Sequence, residues 1–441
     1  MQAIFMKSFL TRHSWLLFVF LCTLAFIAPV SIAFTKVMSV LVVPTFMVVY
    51  RQELKIWLRE HIAERCYLKG VLLFGLFVFI QVAIWSLLPN KYGYKPSYSA
   101  LEESLLAYIF IPLLALVMGV GLTQKMFERA IMAFGLCTAL GGILLLYLNF
   151  DMSQLLNSPT AFFSQVMECR FLGCEGKFPH LKVFLKDYSF YPTLGSLLLI
   201  PLVLKRKGAK RWLLVLLSAL NALFLLFTNN KGTMVGFSAA LVLMAVYFTR
   251  ELAWRKRVFA ALCIAAAMVL VVVVLPQSVK ERFCDVVSES KAFVREKHDS
   301  GSTSIRLTIW KIQLSHVKEF WLFGEGSLYA TNRLRAYLVE ANYQNYVNAG
   351  YIYHNQYLAY FHAYGLIGLL FLLFLLFYPL YAMLRYRNFS MMLTTVIVVF
   401  AIALMEDRYL GKDMVAALLF MLYFSFFQVD KWRFLENKTS E

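Results

Sequence analysis

The residues of this chain with the chemistry for a reaction gather at a few points. His354 falls in Tyr351-Ile352-Tyr353-His354-Asn355-Gln356-Tyr357-Leu358, where a long polar segment gives way to an apolar run. An imidazole at such a boundary is suited to accepting a proton near neutral pH. The same position also suits a polar residue in a belt of interfacial tyrosines. Arg306 stands in Ser302-Thr303-Ser304-Ile305-Arg306-Leu307-Thr308-Ile309-Trp310, Lys231 in Thr228-Asn229-Asn230-Lys231-Gly232, and Arg170 in Cys169-Arg170-Phe171-Leu172-Gly173. An arginine fork matches phosphate oxygens bidentately, so cations from three separated segments could converge on one pyrophosphate. Any one of them alone reads first as a solvated charge, and Lys231 as a lysine snorkelling to a membrane interface. Glu406-Asp407-Arg408 reads first as a local ion pair, with the alternative that it orients a cation or the histidine. His362, eight residues after His354, reads as a packed core histidine.

Several chemistries have no motif in the sequence. HExxH, CxxC, GxSxG and GxxxxGK[ST] are all missing, and the polar loops hold no DxD-like acidic pair for a divalent cation on a sugar nucleotide. Metal-dependent chemistry is therefore not expected, and no cofactor is implied.

The elements that must position these residues follow from composition. The chain has 441 residues, 61% of them apolar and only 15% charged, with 40 Phe, 24 Tyr and 8 Trp. Soluble proteins are roughly 45–50% apolar and about 25% charged, so a water-soluble enzyme is excluded and much of this surface must face lipid. Apolar runs of membrane-crossing length predict twelve spans, at about 15–34, 37–50, 70–89, 105–123, 131–150, 188–204, 212–228, 233–249, 258–276, 357–382, 390–405 and 414–429. The fold expected is thus an all-α polytopic membrane protein. Residues 1–276 carry nine spans, 277–353 a large loop, 354–429 three further spans, and 430–441 a tail. Residues 1–34 also resemble a signal peptide, but their apolar core is longer than usual, which favours a retained first span.

The net charge of +18 would suggest nucleic acid in a soluble chain. Here the basic residues cluster between apolar runs, and with both termini inside they are about twice as dense on that side, as membrane orientation requires. Two segments on the opposite face, 151–187 and 277–353, are too long for simple connections and are where binding or catalysis is expected. Within the larger one, Trp310, Leu314, Val317 and Trp321 recur at helical spacing with Lys311 and Lys318 between them, predicting a helix on the membrane surface or capping the bundle. Cys169 and Cys174 lie five apart in the smaller one, where an oxidising compartment would allow a disulfide.

The run from Ser304 through Gly368 resembles the signature region of the O-antigen ligase and polymerase superfamily. The elements that carry this are Ser304, Arg306-Leu307, Trp310, Phe323-Gly324-Glu325-Gly326, His354-Asn355-Gln356-Tyr357-Leu358 and Gly365-Leu366-Ile367-Gly368-Leu369. Asn230-Lys231-Gly232 stands where the family usually has Ser-Arg-Gly. The topology of twelve spans with one large loop before the tenth is similar along nearly the whole chain.

The resemblance implies a bundle of the GT-C type and an inverting, metal-independent glycosyltransferase of the bacterial inner membrane, its site facing the periplasm. The donor implied is O-antigen linked to undecaprenyl pyrophosphate, and the acceptor the lipid A-core of lipopolysaccharide. His354 would be the catalytic base, Arg306 and Lys231 would bind pyrophosphate, and Arg170 and Asp407 would support them. A lysine at 231 keeps the charge of the family arginine but loses its fork. An O-antigen polymerase and a protein O-oligosaccharyltransferase share the signature. A transporter of polyprenyl-linked sugars is the reading from another class, and it would call for ionisable residues within several spans.

Overall fold

The computed structural model describes residues 62–87, 124–150, 152–158, 188–228, 230–250, 302–348, 353–385 and 389–410, together with isolated residues elsewhere. Among the described residues there are helices and connecting turns and no strand. In chain order the helices are α1 (Ile62–Leu87), α2 (Gln124–Asn149), α3 (Met152–Asn157), α4 (Phe190–Lys205), α5 (Gly208–Thr228), α6 (Lys231–Thr249), α7 (Ser302–Ser315), α8 (Val317–Phe320), α9 (Ala330–Glu340), α10 (Gln344–Asn348), α11 (Gln356–Arg385) and α12 (Met391–Ala403).

Five of these are long and apolar enough to cross a membrane: α1, α2, α5, α6 and α11. Two more, α4 and α12, are apolar but shorter. The chain is therefore a multi-pass membrane protein, all-helical among the described residues. The spans expected at 15–34, 37–50, 105–123, 258–276 and 414–429 lie outside the described residues apart from scattered helical positions. So do the tail at 430–441 and most of 151–187, including Arg170, Cys169 and Cys174.

Some of the expected spans begin earlier as helices than their apolar runs, whereas α12 falls short of the expected 390–405 at both ends. Helix α1 starts eight residues before the predicted apolar run and α2 seven before it, because charged residues continue a helix that hydropathy alone cuts short. In α2 this added turn is used. Glu128 accepts from Lys205 at 3.2 Å and from Arg206 at 2.9 Å, pinning the start of α2 to the end of α4.

Helix α4 is the buried centre of the bundle. Leu194, Leu197, Leu198, Leu199 and Leu202 are fully enclosed and pack chiefly against α5 and α2. By contrast, Leu73, Leu76, Phe79, Ile80 and Ile84 of α1 and Leu213 and Leu216 of α5 are exposed, apolar faces that suit lipid rather than water.

Helix α6 packs on α12, and the contact is close because it runs over glycines four residues apart. A Cβ at Gly236 would lie 3.1 Å from the Val399 backbone, and one at Gly232 would lie 2.5 Å from Glu406 Oε2 and 3.2 Å from Ala403 Cα. Small residues at this spacing let two membrane helices approach backbone to backbone. The approach sets the start of α6, and with it Lys231, against the turn that follows α12.

Residues 302–348 are folded and have a small core of their own. Ile305, Ile309, Ile312, Leu334, Tyr337, Leu338 and Tyr346 cluster with Tyr353 and Ala359 at the head of α11. The single helix predicted over the Trp310–Trp321 stripe is divided into α7 and α8 at His316, whose φ of −97° and ψ of 13° leave the helical range. Helix α7 docks on the head of α11 through two side-chain donors: Trp310 Nε1 to the Tyr353 carbonyl at 2.7 Å and Gln313 Nε2 to the Leu358 carbonyl at 2.8 Å.

Candidate active site

Four of the residues singled out by sequence meet around residues 404–410, the turn that closes α12. The turn is tied to the head of α11 by Gln356, whose backbone N–H donates to the Leu404 carbonyl at 2.8 Å. Its side-chain Oε1 accepts from the Leu410 N–H at 3.1 Å. It is tied to the start of α6 by Asn230, whose amide donates to the Tyr409 hydroxyl at 2.6 Å and to Ser189 Oγ at 2.8 Å. Asn230 also caps α6 by accepting from the Thr233 N–H. Three elements distant in sequence are thereby held on one short loop.

Two adjacent acids on that loop face two different partners. Glu406 Oε1 lies 3.7 Å from Arg306 Nη1 on α7, while its Oε2 accepts the Gly232 N–H in the first turn of α6. A carboxylate is favourable there, since the helix start carries partial positive charge. Asp407 Oδ1 lies 3.4 Å from His354 Nδ1. The expected local ion pair of Glu406-Asp407-Arg408 is thus corrected: Glu406 and Asp407 reach out of the turn, while a local bond remains from the Arg408 N–H to Asp407 Oδ1 at 2.8 Å.

All of these side chains are half-buried: Arg306 is 20% exposed, His354 25%, Asp407 13% and Glu406 14%. Lys231 is also half-buried, as the first residue of α6. At such burial a charge interacts more strongly than in open water. The structure thus brings Arg306, the turn that begins with Lys231, His354 and Asp407 to the one loop. Arg170 lies outside the described residues.

His354 has an unusual backbone. Its φ is +44°, a left-handed conformation that costs a residue with a Cβ on the order of 1–2 kcal/mol. Its Nδ1 is buried and makes no hydrogen bond, although Asp407 Oδ1 lies 3.4 Å away. Contacts between catalytic groups are often long in a substrate-free site and tighten when it fills.

Behind this loop lies a second polar cluster that the sequence did not suggest. The Phe323-Gly324-Glu325-Gly326 turn is pressed against a break in α11 at Gly365, where φ is 66° and ψ −156°. The Glu325 N–H donates to the His362 carbonyl at 2.9 Å, the Gly326 N–H to Ala363 at 3.0 Å, and the Leu366 N–H to Trp321 at 2.7 Å. Gln81 Nε2 on α1 donates to the carbonyls of Phe323 and Ala363. Backbone meets backbone so closely that a Cβ on Gly365 would fall 2.2 Å from Leu322 and one on Gly324 2.3 Å from Ala363. This docking is what the two glycine-bearing elements of the signature region do physically.

It also sets Glu325 against His362. Glu325 Oε2 and His362 Nε2 are 2.6 Å apart, and His362 Nδ1 is 2.9 Å from the Tyr353 hydroxyl. Glu325 Oε1 accepts from Tyr337 at 2.7 Å and from Arg333 Nε at 3.2 Å. Arg333 and Tyr337 in turn share Glu319, and His316 stacks on Tyr337 with 3.9 Å between ring centroids. Burial would raise the Glu319 carboxyl, but the hydrogen bonds from His316, Arg333 and Tyr337 outweigh it and hold it below its ordinary value. Burial also pushes the Tyr337 and Tyr353 phenols well up. His362 is fully buried as expected, yet it is a paired member of a network rather than an apolar filler.

Residues 212–373 match the family model described as O-Antigen ligase. This segment is similar to the O-antigen ligase family. It spans α5 to the middle of α11 and so contains Lys231, Arg306, Glu325, His354 and His362, while the partner acids Glu406 and Asp407 lie beyond it. The resemblance read from the sequence is borne out over this stretch. Among curated proteins, none matches the chain. No group of three or more His, Cys, Asp or Glu side chains that could hold a metal is found among the described residues.

Proposed function

We propose that the protein is an O-antigen ligase. It moves O-antigen polysaccharide from undecaprenyl pyrophosphate to a sugar hydroxyl of the lipid A-core, at the periplasmic face of the inner membrane, by inverting and metal-independent transfer. The observation that carries the reading is the division of labour on one loop: Glu406 next to Arg306 and the Lys231 turn, Asp407 next to His354.

The chemistry this arrangement supports is direct. Asp407 holds the His354 ring through Nδ1, and Nε2 removes the proton from the acceptor hydroxyl. The acceptor oxygen attacks the anomeric carbon of the donor sugar from the face opposite the phosphate. The C–O bond to phosphate breaks as the new glycosidic bond forms, so the configuration inverts. Undecaprenyl pyrophosphate leaves carrying the electron pair, and Arg306 and Lys231 stabilise the charge that develops on it. Arg170 is a further candidate for that role. The sugar-phosphate bond is already activated, so a base and cations suffice.

An O-antigen polymerase would use the same donor and the same base, and a protein O-oligosaccharyltransferase would differ in its acceptor. The lipopolysaccharide ladder of a deletion strain separates them. A ligase leaves core without O-antigen when lost; core capped with a single repeat would indicate a polymerase, and an unchanged ladder would contradict a role in O-antigen transfer altogether.

A further inference from the structure

The buried pair Glu325 and His362 touches no part of the proposed reaction centre, yet it ends one residue away from His354. Glu325 accepts, so His362 Nε2 carries the ring hydrogen between them, and His362 Nδ1 is hydrogen-bonded to the Tyr353 hydroxyl at 2.9 Å. Burial keeps that phenol protonated and able to donate. The Tyr353 carbonyl is held separately by the Trp310 indole at 2.7 Å. Tyr353 is thus fixed at its side chain and at its backbone, and it is 2% exposed.

On the other side of His354, Asn355 Oδ1 accepts from the Leu358 N–H at 3.1 Å, and the Gln356 N–H is taken by Leu404. His354 sits between two immobilised neighbours in a left-handed conformation that it would not adopt by preference. Such a conformation persists where the surroundings over-determine it. Without the Tyr353 clamp, relaxation to a negative φ would swing the imidazole away from Asp407.

We propose that His362 and Glu325 are positioning residues for His354, acting through Tyr353. They touch neither donor nor acceptor; they hold the backbone that aims the base. The inference rests on His354 being the base, and the experiment separates the two.

Transfer kinetics are measured on the full-length protein in lipid for Tyr353→Phe, His362→Ala, His362→Asn and the Tyr353→Phe/His362→Ala double variant, with His354→Ala alongside. Tyr353→Phe keeps the buried ring and removes only the hydroxyl. The expected result is a kcat lower by about tenfold with the donor KM within about twofold of the parent, since positioning acts on the chemical step and not on binding. His362→Asn, whose amide can still bond the phenol, recovers part of what His362→Ala loses. The double variant is no worse than the poorer single one, because both remove the same bond. Simple loss of packing would add instead, and would not be rescued by asparagine. A Tyr353→Phe kcat equal to the parent, with His354→Ala inactive, overturns the positioning role and leaves the base in place. An active His354→Ala overturns the base, and the positioning role with it. Should Tyr353→Phe not accumulate, Trp310→Phe loosens the same residue from its carbonyl side and carries the same expectation.

Discussion

His354 Nδ1 stands 3.4 Å from Asp407 Oδ1, while the residue next to Asp407 in sequence, Glu406, lies 3.7 Å from Arg306. One turn after α12 therefore faces both the candidate base and a candidate phosphate-binding cation. If Asp407 orients the ring, Asp407→Asn lowers kcat by about 10- to 100-fold, the worth of one hydrogen bond to a charged group. Donor binding should be little changed. Steady-state kinetics check this, and a raised donor KM at unchanged kcat would assign Asp407 to binding instead.

The two cations are expected to differ in tolerance. Arg306→Lys keeps the charge and gives up the fork, so the donor KM rises by about tenfold, or ~1.4 kcal/mol. Lys231→Arg supplies the fork that the family usually has, and activity is retained. Both are read from donor titrations in a transfer assay. An inactive Lys231→Arg variant would argue against a simple phosphate contact.

Much of this was legible in the sequence, and the remainder failed for a physical reason. His354 and Arg306 were visible because they stand at an apolar boundary or in a recognisable pattern. The acids were visible as residues, and as partners of a cation or the histidine only as the alternative to a local ion pair: the Glu406 contact depends on α6 lying against α12, and that approach depends on Gly232 and Gly236. Glu325 carried only a weak signal, an ionisable residue between two glycines, and its bond to His362 exists because α11 breaks at Gly365. Periodicity saw α11 as one span. A backbone break inside a uniformly apolar run leaves no mark in hydropathy, since a glycine there reads as helix-compatible.

Gly232 offers a test of the approach itself. A methyl group at this position would meet the Glu406 carboxylate and the Ala403 backbone. Gly232→Ala is expected to destabilise the protein by about 1–3 kcal/mol, as overpacking does, and to lower transfer by shifting Glu406 relative to Arg306. Thermal unfolding of the purified protein and a donor titration report the two effects. A variant with parental stability and parental donor KM would contradict the close packing of α6 on the 404–410 turn.

Acid should loosen the cluster around Arg333. The Glu319 carboxyl is held below its ordinary value of 4.5. Its contribution to stability is therefore complete above that value and is lost as pH falls through the lower, folded one. Glu319 is well exposed, so the effect is modest. The melting temperature of Glu319→Gln should fall less than that of the parent between neutral pH and pH below 4.5. Parallel curves would show that Glu319 does not titrate within the network.

Chelation is expected to leave transfer intact, because base and cations are both supplied by side chains. Initial rates with and without EDTA decide this. A loss restored by a divalent ion would demand a different mechanism.

The most direct test of the account is transfer with purified components: undecaprenyl-pyrophosphate-linked O-antigen as donor, lipid A-core as acceptor, and the parent protein beside His354→Ala. The parent should yield glycosylated lipid A-core with inversion at the anomeric carbon. His354→Ala, folded in the membrane, should fall by at least the 10²- to 10⁴-fold that a general base typically contributes. Transfer by His354→Ala at the parental rate would contradict the account.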